Sequence, residues 1–250
     1  MPQIGIAGNC QNVYGSQVWA NWFALGPTAR NLKTWWNYED WIGGYTGTGA
    51  EGVWIKANSG AGAGITDIAG TSLRPGLIQG TTGTTAAGYA GIYTGHALFS
   101  TFILGGGVYT FETEIYIPDL SAVAEEYIFR CGFGDSILGD ATDGVYFEYN
   151  RLTSVNWYRC TANNAARTKT SAGVAVAEDT WTRLKIIINA AGTSAEFFIA
   201  DTSVGSNIAN LPGAGRAFGA YFQIIKSAGL TPRTFQCDWV WLHFDLTTGR

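Results

Sequence analysis

From about Gly105 to Leu246 the chain alternates apolar and polar positions in short runs, each closed by Gly, Asn, Asp or Pro. The stretch from Gly144 to Asn150 is the clearest case. Val145, Phe147 and Tyr149 fall on one side of a pleat and Tyr146 and Glu148 on the other, because successive strand side chains point to opposite faces. Read this way, the pattern predicts strands over 53–56, 89–94, 96–103, 108–117, 126–133, 144–149, 155–161, 166–171, 181–189, 194–199, 220–226 and 233–244, with a hairpin connection at 189–192. Helical periodicity is nearly absent; residues 119–125 are long enough for one turn. A dozen short-linked strands predict an all-β chain folded as an antiparallel two-sheet jelly-roll sandwich.

Parity also assigns faces. Phe111, Thr113, Ile115 and Ile117 share one side and Glu112, Glu114 and Tyr116 the other. Leu184, Ile186 and Ile188 point inward with Arg183 and Lys185 outward, and Phe222 and Ile224 oppose Tyr221 and Gln223. The last run is ambiguous: Cys237, Trp239 and Trp241 are apolar, but so are Val240, Leu242 and Phe244. A strand apolar on both faces is covered on both.

The first 50 residues break this pattern. Trp19, Trp22, Phe23, Trp35, Trp36 and Trp41 lie in an aromatic-rich stretch with neither period. Such a surface is costly in water. The division expected is therefore an irregular arm over 1–50, docking on a neighbouring subunit or folding over its own domain, and a sandwich over 51–250. Residues 57–87 form a Gly, Ala, Ser and Thr tract, read as loops and short strands. Its glycines fit neither a phosphate loop nor a dinucleotide fingerprint, and no cofactor is expected.

Composition narrows the functional classes. Of 250 residues 46% are hydrophobic, enough for a large core, while the charged fraction of 14% is low against the usual ~25%. With a net charge of −4 and no basic run, nucleic-acid binding has no electrostatic footprint. No stretch approaches the ~20 apolar residues of a membrane helix. The start, Met1 to Gly5, shows no secretory signal pattern; a protein made in the cytosol still reaches the outside if a particle carries it through lysis.

Candidate chemistry is sparse. Cys10, Cys131, Cys160 and Cys237 have no metal-ligand spacing; the last three sit in strand runs as buried thiols or as a disulfide pair, and Cys10 could reach another subunit. His96 and His243 gather no partners by sequence, so structural roles are expected. Asp135, Asp140 and Asp143 form a loop cluster whose oxygens suit calcium, but the spacing matches no calcium loop and turn formation is the expectation; no metal is predicted. Glu112, Glu114 and Glu148 could share one exposed sheet face. At ~6.5 to 7 Å apart along a strand, a carboxylate pair for sugar hydrolysis is geometrically open, against the plainer reading of solvated or Arg-paired acids. The stronger signal is aromatic. Tyr146, Trp157, Tyr158, Tyr221, Trp239 and Trp241 cannot all be core, and beside Asn156, Arg159, Gln223 and Asp238 they suit stacking on sugar rings or on a protein. The binding residues expected are Tyr146, Glu148, Trp157, Arg159, Tyr221 and Gln223.

The run Gly132-Phe133-Gly134-Asp135, then Asp143-Gly144-Val145-Tyr146-Phe147-Glu148-Tyr149, Val155-Asn156-Trp157, Thr161-Ala162-Asn163-Asn164, Gly173-Val174-Ala175-Val176 and Trp181-Thr182-Arg183-Leu184-Lys185-Ile186 resembles a domain common in tailed-bacteriophage virion proteins, similar to the concanavalin A-like lectin/glucanase sandwich. The resemblance spans about residues 88–246. It implies a virion structural or adsorption protein: a capsid decoration, collar or tail component that contacts other virion proteins and copies of itself, a trimer by guess, with a host surface glycan as a further partner. A carbohydrate-binding adsorption module is the alternative. Catalysis is not expected. Where laminarinase-type strands carry Glu-x-Asp-x-Glu, this chain has Glu112-Thr113-Glu114-Ile115-Tyr116, with Tyr116 in place of the third acid, and no Arg-Thr-Glu-x-Arg or Gln-x-His is present.

Overall fold

Period-two alternation is realised as two antiparallel sheets packed face to face. The structure, a computed structural model, describes residues 12–13, 16–17, 34–41, 54–94 and 102–248. Its strands are β1 (Asn12–Val13), β2 (Ser16–Gln17), β3 (Thr34–Glu39), β4 (Trp54–Ser59), β5 (Ala63–Ala69), β6 (Gly76–Thr82), β7 (Tyr89–Thr94), β8 (Gly107–Tyr116), β9 (Tyr127–Gly134), β10 (Gly144–Asn150), β11 (Asn156–Asn163), β12 (Ala166–Ala175), β13 (Trp181–Ile188), β14 (Ala195–Ile199), β15 (Thr202–Asn207), β16 (Gly219–Lys226) and β17 (Thr234–Leu246). The described residues contain no helix; at 119–125 the chain makes a turn closed by a bridge between Ala122 and Glu125.

One sheet has ten strands, in the order β1-β2-β3-β17-β8-β13-β14-β15, with β6 also on β17 and β5 on β6. The other has seven, in the order β12-β11-β10-β9-β16-β7-β4. The parity readings hold. Phe111, Ile115, Leu184, Ile186, Phe222 and Ile224 are sealed between the sheets with Phe129, Phe133, Phe147 and Phe197. Full burial of each such side chain contributes ~1.5 to 3 kcal/mol, which makes this interlayer the main source of stability. Cys131 and Cys237 are buried there as free thiols, and Cys160 is buried on the other side of the seven-stranded sheet. Burial pushes all three thiols up, Cys237 to about 12.

The tract 57–87, read as loops and short strands, holds β5 and β6, paired over seven positions. Two features depart from the sequence reading. β15, in a Ser- and Gly-containing run with little alternation, was not foreseen. Trp41, expected to dock on a neighbour, is only 3% exposed and packs edge-on against Trp54 of its own chain, ring centroids 5.6 Å apart. It follows directly on β3, which pairs with β17 from Glu39–Val240 to Thr34–Asp245. Trp35 and Trp36 lie in that strand. Trp19, Trp22, Phe23, Cys10 and His96 lie outside the described residues.

The double apolarity of β17 has a local cause. Ile115 of β8 faces Cys237 and Thr113 faces Val240, so Asp238 and Trp239 together oppose the single residue Glu114. This β-bulge reverses the parity. Cys237 points in before it, and Val240, Leu242 and Phe244 point in after it. Thr113 Oγ1 stitches the bulge by donating to the Trp239 carbonyl at 2.6 Å.

Candidate functional site

The outer face of the seven-stranded sheet gathers four of the six expected binding residues and then buries them. Glu148, Arg130 and Gln223 stand directly opposite one another on β10, β9 and β16. Arg130 donates from Nε to Glu148 at 2.7 Å and from Nη1 to Gln223 at 2.9 Å, and its Nη2 lies 2.8 Å from Asp140. Lys169 on β12 bridges Glu148 and Asp140 at 2.8 and 3.0 Å. Asp140 belongs to the loop 135–143, which lies across this face. Its Ile137 and Ala141 pack with Tyr146 and Tyr221, both fully buried. Two glycines beneath allow the close approach: a Cβ on Gly91 would come within 3.1 Å of Ile137, and one on Gly134 within 2.7 Å of the Tyr221 ring.

The expectation that Tyr146, Glu148, Tyr221 and Gln223 form an open binding face is therefore corrected. These four residues share one face, but a loop covers it. The other two expected residues point the opposite way. Trp157 is in the interlayer core between Phe129, Phe147 and Tyr149. Arg159, on the same side of β11, caps the sandwich edge and donates to the Ser206 carbonyl at 3.3 Å. The three loop aspartates each serve protein partners. Asp135 accepts from the Thr142 amide, Asp140 binds Arg130 and Lys169, and Asp143 takes the Asn164 amide and Arg216.

An open site lies on the outer face of the ten-stranded sheet, created by topology. β3 and β6 both pair with the same edge of β17: β6 reaches it through Ile78–Cys237, and β3 takes over from Glu39–Val240. The two strands meet end to end at the bulge. The notch between them is a cleft of about 480 Å³ lined by Tyr38, Asp40, Leu73, Arg74, Pro75, Glu114, Asp238 and Trp239.

Its chemistry combines rings and carboxylates. The Tyr38 and Trp239 rings lie 6.1 Å apart at 27°, forming a shallow aromatic floor, and Tyr38 is 36% exposed. Arg74 reaches Glu114 Oε1 at 3.0 Å and Asp238 Oδ2 at 3.2 Å, while its guanidinium sits 4.3 Å over the Trp181 ring. Trp181 in turn packs on Tyr116 at 5.3 Å. Arg183 lies 5.6 Å from the Trp239 ring centre. Burial, together with the charges of Glu114 and Asp40, lifts Asp238 to about 6 even though Arg74 pulls it down. Burial and the same neighbouring aspartates raise the Tyr38 phenol.

Of the carboxylates considered for hydrolysis, Glu112 and Glu114 share a face and Glu148 does not. Glu112 and Glu114 stand on β8 in the ten-stranded sheet and Glu148 on β10 in the other. Glu112 is buried against Arg183 and Lys185, so the three acids are held by three separate sets of cations. Tyr116, in the position of a third acid, donates to Asp179 at 2.7 Å. His243 stacks on Trp241 at 5.2 Å and faces Asp245.

Glu114 was legible in the sequence as an outward acid, and Trp239 and Asp238 as ring and acid positions of uncertain face. Arg74, Tyr38 and Asp40 were not, because only the end-to-end meeting of two distant strands brings them together. The available signal was the two-sided apolarity of β17, which marked a bulge.

Solved structures share this architecture. Protein SO2946 of Shewanella oneidensis MR-1, described as a protein of unknown function, is 14% identical, with 89% of this chain and 91% of that one aligned at a TM-score of 0.64. An endo-1,3-β-glucanase from Streptomyces sioyaensis is 10% identical (88% and 98% covered, TM-score 0.56). The carbohydrate recognition domain of Emp47p is 11% identical (89% and 100% covered, TM-score 0.54). These likenesses establish a concanavalin A-like jelly-roll sandwich. No curated protein matches in sequence. The family model of the SO2946-like C-terminal domain matches residues 73–238, from the rim of the cleft to the bulge, and the chain belongs to that family.

Proposed function

We propose that this chain is a non-hydrolytic carbohydrate-binding domain whose ligand lies in the notch at the β17 bulge. The observation that carries the reading is the cleft itself: an aromatic floor of Tyr38 and Trp239 beside carboxylates and a guanidinium on an open sheet face. Flat rings beside hydrogen-bonding groups suit a sugar, which offers C–H faces and equatorial hydroxyls. A fold shared with a carbohydrate recognition domain and a glucanase supports the ligand class. Hydrolysis is left out because Glu112 and Glu148 are buried in ion pairs and point away from each other. The virion-assembly reading drew on the resemblance, and its docking arm on the aromatic start; with Trp41 sealed in its own core, the open cleft is the better-supported site of action.

The test is a glycan array probed with the whole chain, followed by calorimetry of the best oligosaccharide on wild type and Trp239→Ala. Losing the ring contact should weaken binding roughly ten-fold, equivalent to ~1.4 kcal/mol. Retention of full affinity by Trp239→Ala, or absence of any glycan binding, would reject the proposal.

A further inference from the structure

The charge of the cleft points to a more specific ligand. Among the described residues, Glu114 and Asp238 line it against one lining cation, Arg74. Glu114 and Asp238 share that one guanidinium, each through a single oxygen, Oε1 and Oδ2. Arg74 is further committed by its position over Trp181. Arg183, the other cation close to Trp239, is paired with Glu112 and Asp201. With two carboxylates to one guanidinium, the ring floor sits in a field of net negative sign.

Resting on the glycan-binding reading above, we infer that the notch selects hexosamine units bearing a free ammonium, seated with the ring on Trp239 and the ammonium on the carboxylate oxygens of Glu114 and Asp238 that Arg74 leaves uncontacted. An N-acetylated or neutral sugar keeps the ring contact and loses the charge-assisted hydrogen bond. A uronate or sialate brings a carboxylate into a site already rich in them and is repelled. The ammonium would form hydrogen bonds of the charged class to both acids, and these are about twice as strong as neutral ones.

The experiment is calorimetry of the full chain at low salt with three probes of equal length: a β-linked glucosamine oligomer, its N-acetylated counterpart and an oligogalacturonate. The glucosamine oligomer should bind roughly ten-fold tighter than the acetylated one, and the oligogalacturonate should not bind. The preference should collapse in Asp238→Asn and in Glu114→Gln; two single variants guard against one failing to fold, which circular dichroism reads. Equal affinity for the glucosamine and acetylated oligomers would overturn this inference and leave the glycan reading standing. Tightest binding of the oligogalacturonate would also overturn it. So would displacement of the glucosamine oligomer by oligolysine of equal charge, which would show plain ion exchange. Binding of no oligosaccharide at all would instead reject the glycan reading beneath it.

Discussion

Replacing Glu148 with Gln keeps the side chain's shape but removes the charge that Arg130 was buried against. The side chains of Arg130 and Glu148 are only 4% and 2% exposed, so neither can recover its partner's loss from water. Glu148 accepts from Arg130 at 2.7 Å and from Lys169 at 2.8 Å. Breaking a buried pair by removing one member costs ~3 to 5 kcal/mol. Asp140 and Lys169 are each about 30% exposed, so solvent softens part of the penalty and the lower end, ~3 kcal/mol, is expected. For a chain of this size that lowers the melting temperature by about 6 to 12 °C. Urea denaturation followed by tryptophan fluorescence gives the free energy directly. The double variant Arg130→Met/Glu148→Leu removes both charges and should recover to within ~1 kcal/mol of wild type, because apolar replacements of buried pairs are often neutral. A Glu148→Gln protein as stable as wild type would show that the pair is not a buried charge pair, and so would a double variant as unstable as the single one. Asp140 supplies the pH signature. Burial opposes its ionisation, but Arg130 and Lys169 hold its carboxyl below the ordinary range. Its contribution is therefore present above about pH 4 and lost as pH falls through its lowered value.

Three further outcomes follow from the same structure. Trp157→Ala should cost about 3 to 5 kcal/mol in a urea titration, because the ring is in the interlayer core; a loss below ~1 kcal/mol would contradict that placement. Burial, the largest cause, raises the buried Glu39 to about 8, with Asp40 and Asp67 adding and the Trp41 amide opposing. The stability this gives is fully present below its unfolded value near 4.5 and is lost as pH rises through 8, a change on the order of 5 kcal/mol that melts at pH 5 and pH 9 should show and that Glu39→Gln should abolish. Cys131, Cys160 and Cys237 are buried with raised thiols, so a thiol reagent should label them in the native protein only at the rate of unfolding, and rapid labelling of any of the three would contradict the burial.

Most of the scaffold was legible because one rule, apolar in and polar out every second residue, decides the strands that carry the core. Phe111, Ile186 and Phe222 obeyed it without exception. The rule fails in two ways that matter for function. An outward parity does not say what lies above the residue: Tyr146 and Tyr221 point outward as expected, and the loop 135–143, whose aspartates looked like simple turn formers, comes down on them. Trp157 shows the converse, since an aromatic flanked by polar neighbours is core whenever its parity is inward. The cleft was hidden for a topological reason. Nothing local to Arg74 or Tyr38 announces that β6 and β3 end against each other on β17. Only the bulge left a trace, as a strand apolar on both sides.

On the proposed function, ligand binds at the bulge of β17 and not on the loop-covered face. Hydroxyl-radical footprinting with and without saturating oligosaccharide tests this most directly, because it reads side-chain exposure residue by residue. Protection of Tyr38 and Trp239 is expected, with Leu138 and Tyr158 unchanged. Protection centred on Leu138 and Tyr158, with Trp239 as reactive as before, would contradict it.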